Sequence, residues 1–263
     1  MPAKPSRPNE ENDWLQGYCY QFWRSTHHAF RGDGAFGQFT LVLPEEDAVI
    51  AITSESANMQ GELDLVWEHL LPALKRGPMA PDGPAESRLR QTLASLALTP
   101  PKGLRSSPLA ATVGDRTFAF DKNDLGFRSG TVSFGTTCRL TLRDENDAYP
   151  ILCGMEKWHF GETALPGTPP NLVPIPPKPG AKSKIAASGT WKDENTFEVM
   201  VRYYETPHHD TITCHFEGSK VQVRFMSSLA AQSANPQDKR PVLDGKLGPG
   251  GPVIKGKRKK KGH

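Results

Sequence analysis

The second half of the chain is a succession of short apolar stretches, and this pattern constrains the fold more than any other feature. From residue 110 onward, β-branched and aromatic residues alternate with polar ones, and the stretches are separated by turns rich in Gly, Asp and Asn. Such a pattern predicts strands. We expect them near residues 116–121, 125–134, 137–143, 148–153, 155–160, 186–192, 196–205, 210–217 and 219–226. Short strands at about ten-residue intervals are typical of an antiparallel barrel or sandwich.

One hairpin in this region can be placed in register from its sequence. In "CRLTLR-DEND-AYPILC" the turn is four residues long, so pairing of Arg143 with Ala148 would set Cys138 directly opposite Cys153. Directly opposed Cβ atoms are close enough for a disulfide only in the closer kind of pair. The chain has four Cys and no apolar leader at its start. That usage is typical of reduced thiols in a cytoplasmic protein, which is what we expect here.

Proline-rich stretches divide the chain, which contains 24 Pro and 24 Gly. Proline removes backbone donors and disfavours regular structure, so these stretches predict linkers and loops. The predicted segments are a disordered start (1–13), a first domain (14–75), a linker with a short helix (76–109), an antiparallel β domain (110–226) with a Pro-rich loop (164–184), and a disordered basic tail (227–263).

The first domain combines strands with one helix. We expect a single buried strand at 17–24, because its aromatic residues occupy both alternating faces, and a hairpin of strands at 36–43 and 48–54. The following stretch begins with Asn58, a good helix N-cap, and its apolar residues fall at helical spacing until Pro72.

These elements resemble the C-terminal end of a serine β-lactamase-like hydrolase, the family of class C β-lactamases, penicillin-binding proteins and related esterases. The resemblance rests on "GYCYQFW", "RGDGAFGQFTLVLPEEDAVIAITS" and "MQGELDLVWEHLLPAL", and it covers residues 14–75. The later β-rich part resembles the lipocalin-like domain that some of these hydrolases carry. The resemblance implies an α+β fold class: a short antiparallel sheet with a helix packed across it, followed by an antiparallel β-barrel-like domain.

The family's chemistry needs residues that this sequence does not contain. A lysine in an S-x-x-K motif activates the nucleophilic serine, and a K-T-G triplet on a strand beside the site supplies a cation. The 263 residues contain no S-x-x-K, Ser-Asp-Asn or Tyr-x-Asn sequence, so no catalytic residue is predicted. The K-T-G position falls on Ala29-Phe30-Arg31.

Three residues near that position are the predicted substrate-binding residues: His28, Arg31 and Gly32. The resemblance implies that Arg31 or His28 supplies the positive charge, and arginine binds a carboxylate through two parallel hydrogen bonds. The alternative is structural: Asp33 neutralises Arg31 at the surface, and neighbouring glycines allow a tight backbone approach. The sequence leaves both interpretations open.

Two functions from different classes follow from these observations. The first is a truncated serine β-lactamase-related hydrolase, inactive alone, whose family chemistry is acyl-serine hydrolysis of a β-lactam, peptide or ester. Its expected partners are a complementary chain carrying the missing catalytic part and, only when completed, a small acyl substrate. The alternative is a non-catalytic β-barrel module that binds an apolar ligand or a partner protein.

Other classes of ligand are not expected. No stretch of 18 apolar residues is present, so no membrane span is predicted. The basic tail "KGKRKKK" lacks interleaved aromatic residues, so we expect a solvated tail and no nucleic-acid partner. We expect no cofactor and no metal, because strand alternation sends Cys214 and His215 of "PHHDTITCHF" to opposite faces.

Overall fold

A computed structural model describes residues 12–75, 77–173 and 180–248 of the chain. The polypeptide divides into two compact units, Met1–Ala97 and Leu98–His263. Each unit has a hydrophobic cluster of its own.

The first unit contains a five-stranded antiparallel sheet in which every strand pairs with the next one along the chain. Its strands are β1 (Tyr18–Cys19), β2 (Phe22–Arg24), β3 (Phe30–Gly34), β4 (Gln38–Leu43) and β5 (Ala48–Ile52). A 3-10 turn at Asp13–Leu15 precedes them. The central β3–β4 and β4–β5 pairs are each five residue pairs long.

The stretch 17–24 is a tight hairpin, so the expectation of one buried strand is wrong. The chain reverses at Tyr20 and Gln21, which both have positive φ values of 51° and 65°. β1 then pairs with β2, and Tyr20 is 88% exposed at the tip. The aromatic residues occupied both alternating faces because two short strands, and not one long strand, carry them.

A helical segment packs across one face of this sheet. It consists of α1 (Met59–Leu65), a π-helical turn (Val66–Leu70) and a 3-10 turn (Leu71–Ala73). The predicted N-cap is confirmed: the Asn58 side chain accepts a hydrogen bond from the backbone N–H of Gly61. Leu63 and Val66 of this segment pack with Ala29, Phe39, Leu41 and Leu43 in one buried cluster. The opposite face leaves Phe22, Phe30 and Val49 partly or largely exposed.

A second helix of the first unit, α2 (Gly83–Ser95), buries none of its residues. Asp82 caps it by accepting a hydrogen bond from the backbone N–H of Ala85. Its apolar stripe is present as predicted, but Leu89 and Leu93 are each 57% exposed. The helix is therefore stabilised locally, by its cap and by the Arg90–Glu86 ion pair, with no apolar burial.

The second unit is a β-barrel closed by nine strands, with a tenth strand beside them. Its strands are β6 (Thr117–Phe120), β7 (Ser129–Ser133), β8 (Thr137–Arg143), β9 (Ala148–Met155), β10 (His159–Thr163), β11 (Ser183–Trp191), β12 (Thr196–Arg202), β13 (His209–Glu217), β14 (Lys220–Ser227) and β15 (Leu243–Leu247). Neighbours follow the order β11-β12-β13-β14-β15-β6-β7-β8-β9, and a parallel β9–β11 contact closes the ring. β10 pairs with the first half of β11.

Inward-pointing side chains fill the barrel, so it is a packed core. Fully or nearly fully buried aromatic residues include Phe118, Phe127, Trp191, Phe197, Tyr203, Phe216 and Phe225. Phe134 packs edge-on against Phe197, with ring centroids 5.0 Å apart. Trp158 lies outside this core, partly exposed, and donates its Nε1–H to the carbonyl of Leu98.

Short helices accompany the barrel strands. α3 (Ala110–Val113) precedes β6 and contributes buried Val113 to the core, and α4 (Ser228–Ala231) follows β14. The segment before α3 also belongs to this unit, because Leu104 forms an isolated bridge with Trp191 at the end of β11.

Three predicted segment boundaries need correction. The tail predicted as disordered from residue 227 contains β15, which pairs with both β14 and β6 inside the barrel. Of the predicted disordered start, Asp13 is fully buried, and residues 1–11 lie outside the described residues. In the Pro-rich loop, Leu165 is buried in the barrel core, and residues 174–179 lie outside the described part.

The α+β class is wrong, because the described chain is mostly β. Fifteen strands are present in the described residues, whereas one helical segment, residues 59–73, covers a face of the first sheet. The prediction treated the helices as a layer of the fold, but α2 buries no residue and α3 and α4 are four residues each. The antiparallel barrel predicted for the second half agrees with the structure. Among the described helices, none is long and apolar enough to cross a membrane.

Candidate functional site

Arg31 lies on β3 with its side chain completely buried. Its Nε donates to Asp33 Oδ2 at 3.0 Å, and its Nη1 donates to Ser25 Oγ at 2.8 Å. Nη1 also lies 3.2 Å from the carbonyl oxygens of Asp13 and Arg24. The guanidinium stacks on Trp14, 4.5 Å from the ring centroid. Arg31 therefore ties β2, β3 and the segment before β1 together inside the unit.

Asp33 is the ionic partner of Arg31, as the structural alternative in the sequence proposed, but the pair is buried and not at the surface. The Asp33 side chain is 7% exposed. Burial raises the pKa of Asp33 above its ordinary value, although the neighbouring Arg31 acts to lower it. A buried charged pair is costly to break, because the remaining partner loses its compensating charge.

Asp13 is the centre of a second polar network, which the sequence did not indicate. Its carboxylate accepts hydrogen bonds from the Gln60 side chain at 2.8 Å, from Trp67 Nε1 at 3.0 Å, and from the backbone and hydroxyl of Thr26. Burial acts to raise the pKa of Asp13, but these hydrogen bonds outweigh it and hold the pKa below its ordinary value. Asp13 thus links the 3-10 turn before β1 to the helical segment that covers the sheet.

His28 and Gly32 occupy different environments from Arg31. His28 lies in a tight turn with φ of 55°, its side chain is 81% exposed, and its Nδ1 lies 2.7 Å from Glu45 Oε1. Gly32 belongs to the uncovered face of the sheet, where an added Cβ would lie 3.8 Å from Thr40 Cβ and 3.9 Å from Phe22 Cε1. The three predicted residues are neighbours in sequence, but only His28 and Gly32 reach the surface.

The turn between β3 and β4 lies close to the helix. Gly37 has φ of +89°, and a Cβ placed on it would fall 2.0 Å from Glu62 Oε2 and 2.1 Å from Ser54 Oγ. Ser54 Oγ also donates to the carbonyls of Phe36 and Gly37. Ser54 therefore holds the "GAFG" turn by hydrogen bonds and Glu62 packs close to it, a pair of contacts that no sequence pattern in this chain indicated.

The residues of this region differ in whether a ligand can reach them. The buried guanidinium of Arg31 is not presented to solvent, so of the two side chains predicted to supply a cation only His28 is accessible. Ser54 holds the backbone of the β3–β4 turn through the carbonyls of Phe36 and Gly37. A substrate-binding role for His28, Arg31 and Gly32 stays a prediction.

The barrel has a polar cleft of about 410 Å³ on its outer surface. It is lined by Asp121, His215, Glu217, Lys220, Gln222, Asp244 and Lys246, together with the backbone of Val221 and Gly245. Lys220 and Lys246 lie directly opposite each other on β14 and β15. Lys220 also lies opposite Glu217 on the other neighbouring strand, so the cleft presents both signs of charge. Gln222 Nε2 donates to Asp244 Oδ1 at 2.7 Å in the adjacent row.

The cysteines and histidines of the barrel do not form a metal site. Cys214 points into the core with its pKa raised to about 12 by burial, whereas His215 points outward and its Nδ1 lies 3.0 Å from Thr196 Oγ1. Within the described ranges, no group of three or more His, Cys, Asp or Glu residues is arranged to hold a metal ion.

The predicted register of the β8–β9 hairpin is confirmed, with Arg143 opposite Ala148 and Cys138 opposite Cys153. The two cysteines form a disulfide, with Cα atoms 5.0 Å apart. The expectation of reduced thiols is therefore wrong. It rested on the usual state of cysteines in a cytoplasmic protein, which is an argument about compartment and not about this geometry.

Comparisons with protein-family models, with curated proteins and with solved structures gave no match to this chain.

Proposed function

We propose that the first unit is part of a serine acyl hydrolase of the β-lactamase-like type, and that the nucleophile is supplied from outside these 263 residues. One observation carries the proposal most directly. The "RGDGAFGQF" hairpin, at the position where the family has the strand that walls its active site, is followed by a second strand and by a helix whose Glu62 lies close to Gly37. That is the order of elements that the family resemblance implies for residues 14–75.

The proposed division of roles follows from what each residue contacts. Arg31 positions β2 and β3 from inside and does not meet the substrate. His28, exposed beside Glu45, is the candidate cation, and the backbone at Gly32 is open to an approaching ligand. The nucleophile and its base belong to an S-x-x-K helix on a complementary polypeptide. The substrate class, whether β-lactam, peptide or ester, stays open, and so does the cytoplasmic location.

The test measures hydrolysis with and without a completing polypeptide. The chain alone should not hydrolyse nitrocefin or p-nitrophenyl butyrate, and a fluorophosphonate probe should not label it. Expressed together with an adjoining reading frame that encodes S-x-x-K, the pair should hydrolyse one of these substrates. His28→Ala should then raise KM with a smaller effect on kcat, because a surface cation acts mainly in binding.

Two results would contradict this proposal. One is turnover by the purified chain alone that is lost in His28→Ala, because the chain would then hold a complete site of another kind. The other is an active pair in which His28→Ala and the matched surface variant His69→Ala behave alike. His69 lies in the π-helical turn with its side chain 62% exposed and serves as the control for loss of a surface histidine.

The second candidate is non-catalytic binding by the barrel, and the outer cleft favours it. Because aromatic side chains fill the interior, an apolar ligand inside the barrel is not supported, whereas the outer cleft, lined by Lys220, Lys246 and three acids, suits a small ligand that carries both an ammonium group and a carboxylate. Isothermal titration with free glycine and glutamate tests this candidate. Binding should disappear in the Lys220→Ala/Lys246→Ala variant and persist in Lys122→Ala, which changes an exposed lysine outside the cleft.

A further inference from the structure

The barrel closes through a very short contact between β9 and β11. The two strands pair in parallel over only two residue pairs, Ser188 with Gly154 and Gly189 with Met155. Two further hydrogen bonds support the contact: the Glu156 N–H donates to the Gly189 carbonyl at 3.1 Å, and Ser188 Oγ donates to the Gly154 carbonyl at 3.3 Å. We call this contact the seam. Every other neighbouring pair of barrel strands among the described residues is longer.

The disulfide lies directly beneath the seam. Cys153 precedes Gly154 in β9, and its sulfur points into the barrel together with that of Cys138. A Cβ placed on Gly189 would lie 2.6 Å from Cys138 Sγ and 3.4 Å from Cys153 Sγ. It would also lie 2.7 Å from Phe197 Cζ. The space under Gly189 is therefore completely occupied by the two sulfurs and one aromatic ring.

We propose that the seam is a redox-sensitive closure, and that reduction of Cys138–Cys153 opens the barrel between β9 and β11. Bonded sulfurs are about 2.05 Å apart. Two non-bonded heavy atoms need roughly 3.5–4 Å. The two thiols must therefore move apart by more than an ångström inside a close-packed core, where added volume forces the backbone to shift.

The surroundings decide which backbone shifts. On one side, β8 and β9 are held together by seven residue pairs, from Thr137–Gly154 to Arg143–Ala148. On the other side, the sulfurs lie under Gly189, which is held to β9 by the two-pair seam and to β12 within six residue pairs. The seam is the shortest of these pairings, so the separated thiols move β11 together with β12 away from β9 and the β9–β11 hydrogen bonds break.

The chemistry needs a dithiol reductant such as dithiothreitol. Its thiolate attacks one cysteine sulfur, the S–S bond breaks, and the second cysteine leaves as a thiolate that takes up a proton. The reductant's second thiolate then attacks the reductant sulfur of the mixed disulfide, and the first cysteine leaves as a thiolate that takes up a proton. Both cysteines end as thiols, and the reductant ends as a cyclic disulfide. Two electrons pass from the reductant to the protein.

Access to the disulfide is coupled to the same movement. Cys138 is 1% exposed and Cys153 is 0% exposed, so a thiolate reaches them only when the barrel opens transiently. The closed seam therefore protects the disulfide, and the intact disulfide leaves room for the seam to close. Opening exposes unpaired N–H and C=O groups of β11 near Ser188, which form a new strand edge.

The experiment is hydrogen exchange by mass spectrometry on the full chain, oxidised and treated with dithiothreitol. Reduction should accelerate exchange of the seam amides, including that of Glu156, at least tenfold. Amides in the long β13–β14 pair should change much less, because eight residue pairs hold them. The seam should regain protection when the chain is reoxidised.

Two variants separate crowding from loss of the cross-link. Cys138→Ala/Cys153→Ala removes both sulfurs and leaves room under Gly189, so its seam should stay protected with or without reductant. That variant keeps Cys19 and Cys214, so it also controls for any effect of the reductant on them. Gly189→Ala should open the seam even in the oxidised chain, because its Cβ has no space.

Three results would overturn the proposal. The first is unchanged exchange at the seam in chain that mass spectrometry shows to be reduced. The second is a uniform increase over the whole barrel, because the disulfide would then stabilise the unit globally. The third is a seam that opens in Cys138→Ala/Cys153→Ala, because loss of the cross-link and not crowding would then be the cause.

Discussion

At the scale of single residues, two glycines of the first unit differ in whether the structure has room for a side chain. Gly37 has a positive φ and no room for a Cβ, whereas Gly32 has ordinary contact distances around that position. Gly37→Ala should therefore destabilise the first unit by about 2 kcal/mol or more, from backbone strain and from the displaced Glu62 and Ser54. Gly32→Ala should change stability by less than about 0.5 kcal/mol. Urea unfolding followed by tryptophan fluorescence measures both, and equal effects would contradict this assignment.

Arg31 provides the second test at this scale. Arg31→Met removes the cation and leaves Asp33 buried without its partner, which costs roughly 3–5 kcal/mol. Arg31→Met/Asp33→Asn should recover part of that loss, because no unpaired charge then remains. Thermal unfolding of the two variants checks the prediction, and a double variant less stable than Arg31→Met alone would contradict it.

Asp238 gives a pH-dependent prediction for the barrel. Burial acts to raise its pKa, but hydrogen bonds from Arg240 and from the Ser227 backbone lower the pKa from its ordinary value of 3.8 to about 2. A carboxylate with a depressed folded pKa stabilises the protein above its unfolded pKa, and this contribution is lost as the pH falls from about 4 to about 2. The loss should be about 2 kcal/mol. Between pH 4.5 and pH 2.5, the unfolding temperature of Asp238→Asn should fall less than that of the parent protein. An equal fall in both proteins would exclude Asp238 as the source of the pH dependence.

Residue chemistry also explains what the sequence could not predict about the candidate site. The pairing of Arg31 with Asp33 was among the alternatives, because i and i+2 on a strand share a face. Its burial was not predictable, since Asp13, whose carbonyl accepts a hydrogen bond from Arg31, belongs to the stretch 1–13, whose polar, proline-containing composition favoured disorder. Nor did any local pattern join Glu62 to Gly37, because the two are 25 positions apart with β4 and β5 between them.

At the scale of elements, a strand or turn could be predicted where its own residues carry the typical sequence pattern. The β8–β9 hairpin was predictable to the residue because a turn rich in Asp and Asn sits between two alternating strands. The fold-back at Tyr20 and Gln21 was missed because positive φ values fell on residues that rarely adopt them. β15 was missed because "LDGKL" is short, carries two charges and follows a long polar stretch, and only its neighbours β14 and β6 make it a strand.

β15 leads to a prediction about where the barrel can be truncated. It lies between β14 and β6, so its removal leaves two facing strand edges and uncovers the interior. A polypeptide of residues 98–248 should show a cooperative thermal transition, whereas residues 98–226 should be unfolded or aggregated. Leu243→Ala, which removes a fully buried side chain from β15, should lower the stability of residues 98–248 by about 2–4 kcal/mol. Cooperative folding of 98–226 would mean that β15 is peripheral.

At the scale of the whole molecule, the two units differ in how completely they bury their apolar surface. The barrel encloses one large aromatic core with no free edge in its ring except at the seam's margins. The first unit covers only one face of its sheet, and exposes Phe22, Phe30 and Val49 on the other. β5 pairs with β4 alone, so it leaves one edge open. A polypeptide with one complete core and one half-covered sheet should not unfold in a single step.

Chemical denaturation of the full chain tests this inference. Three of the five tryptophans, Trp14, Trp23 and Trp67, lie in the first unit, so most of the change in tryptophan fluorescence reports that unit, and the disulfide-containing barrel dominates the far-ultraviolet circular dichroism because most strands belong to it. The midpoint of the fluorescence change should lie at a urea concentration at least 1 M below that of the circular dichroism change. The reason is that a half-covered sheet buries less apolar area per residue than a closed barrel. At a slope of about 1–3 kcal/mol per molar, this difference corresponds to a free energy of at least about 1 kcal/mol. Val49→Lys, on the exposed face, should leave both transitions in place while increasing solubility, because it interrupts the apolar surface without removing a buried contact. Coincident transitions for the two signals would show that the units stabilise each other. In that case the uncovered sheet face would need no further polypeptide to complete it, and it would no longer support the proposal of a complementary chain.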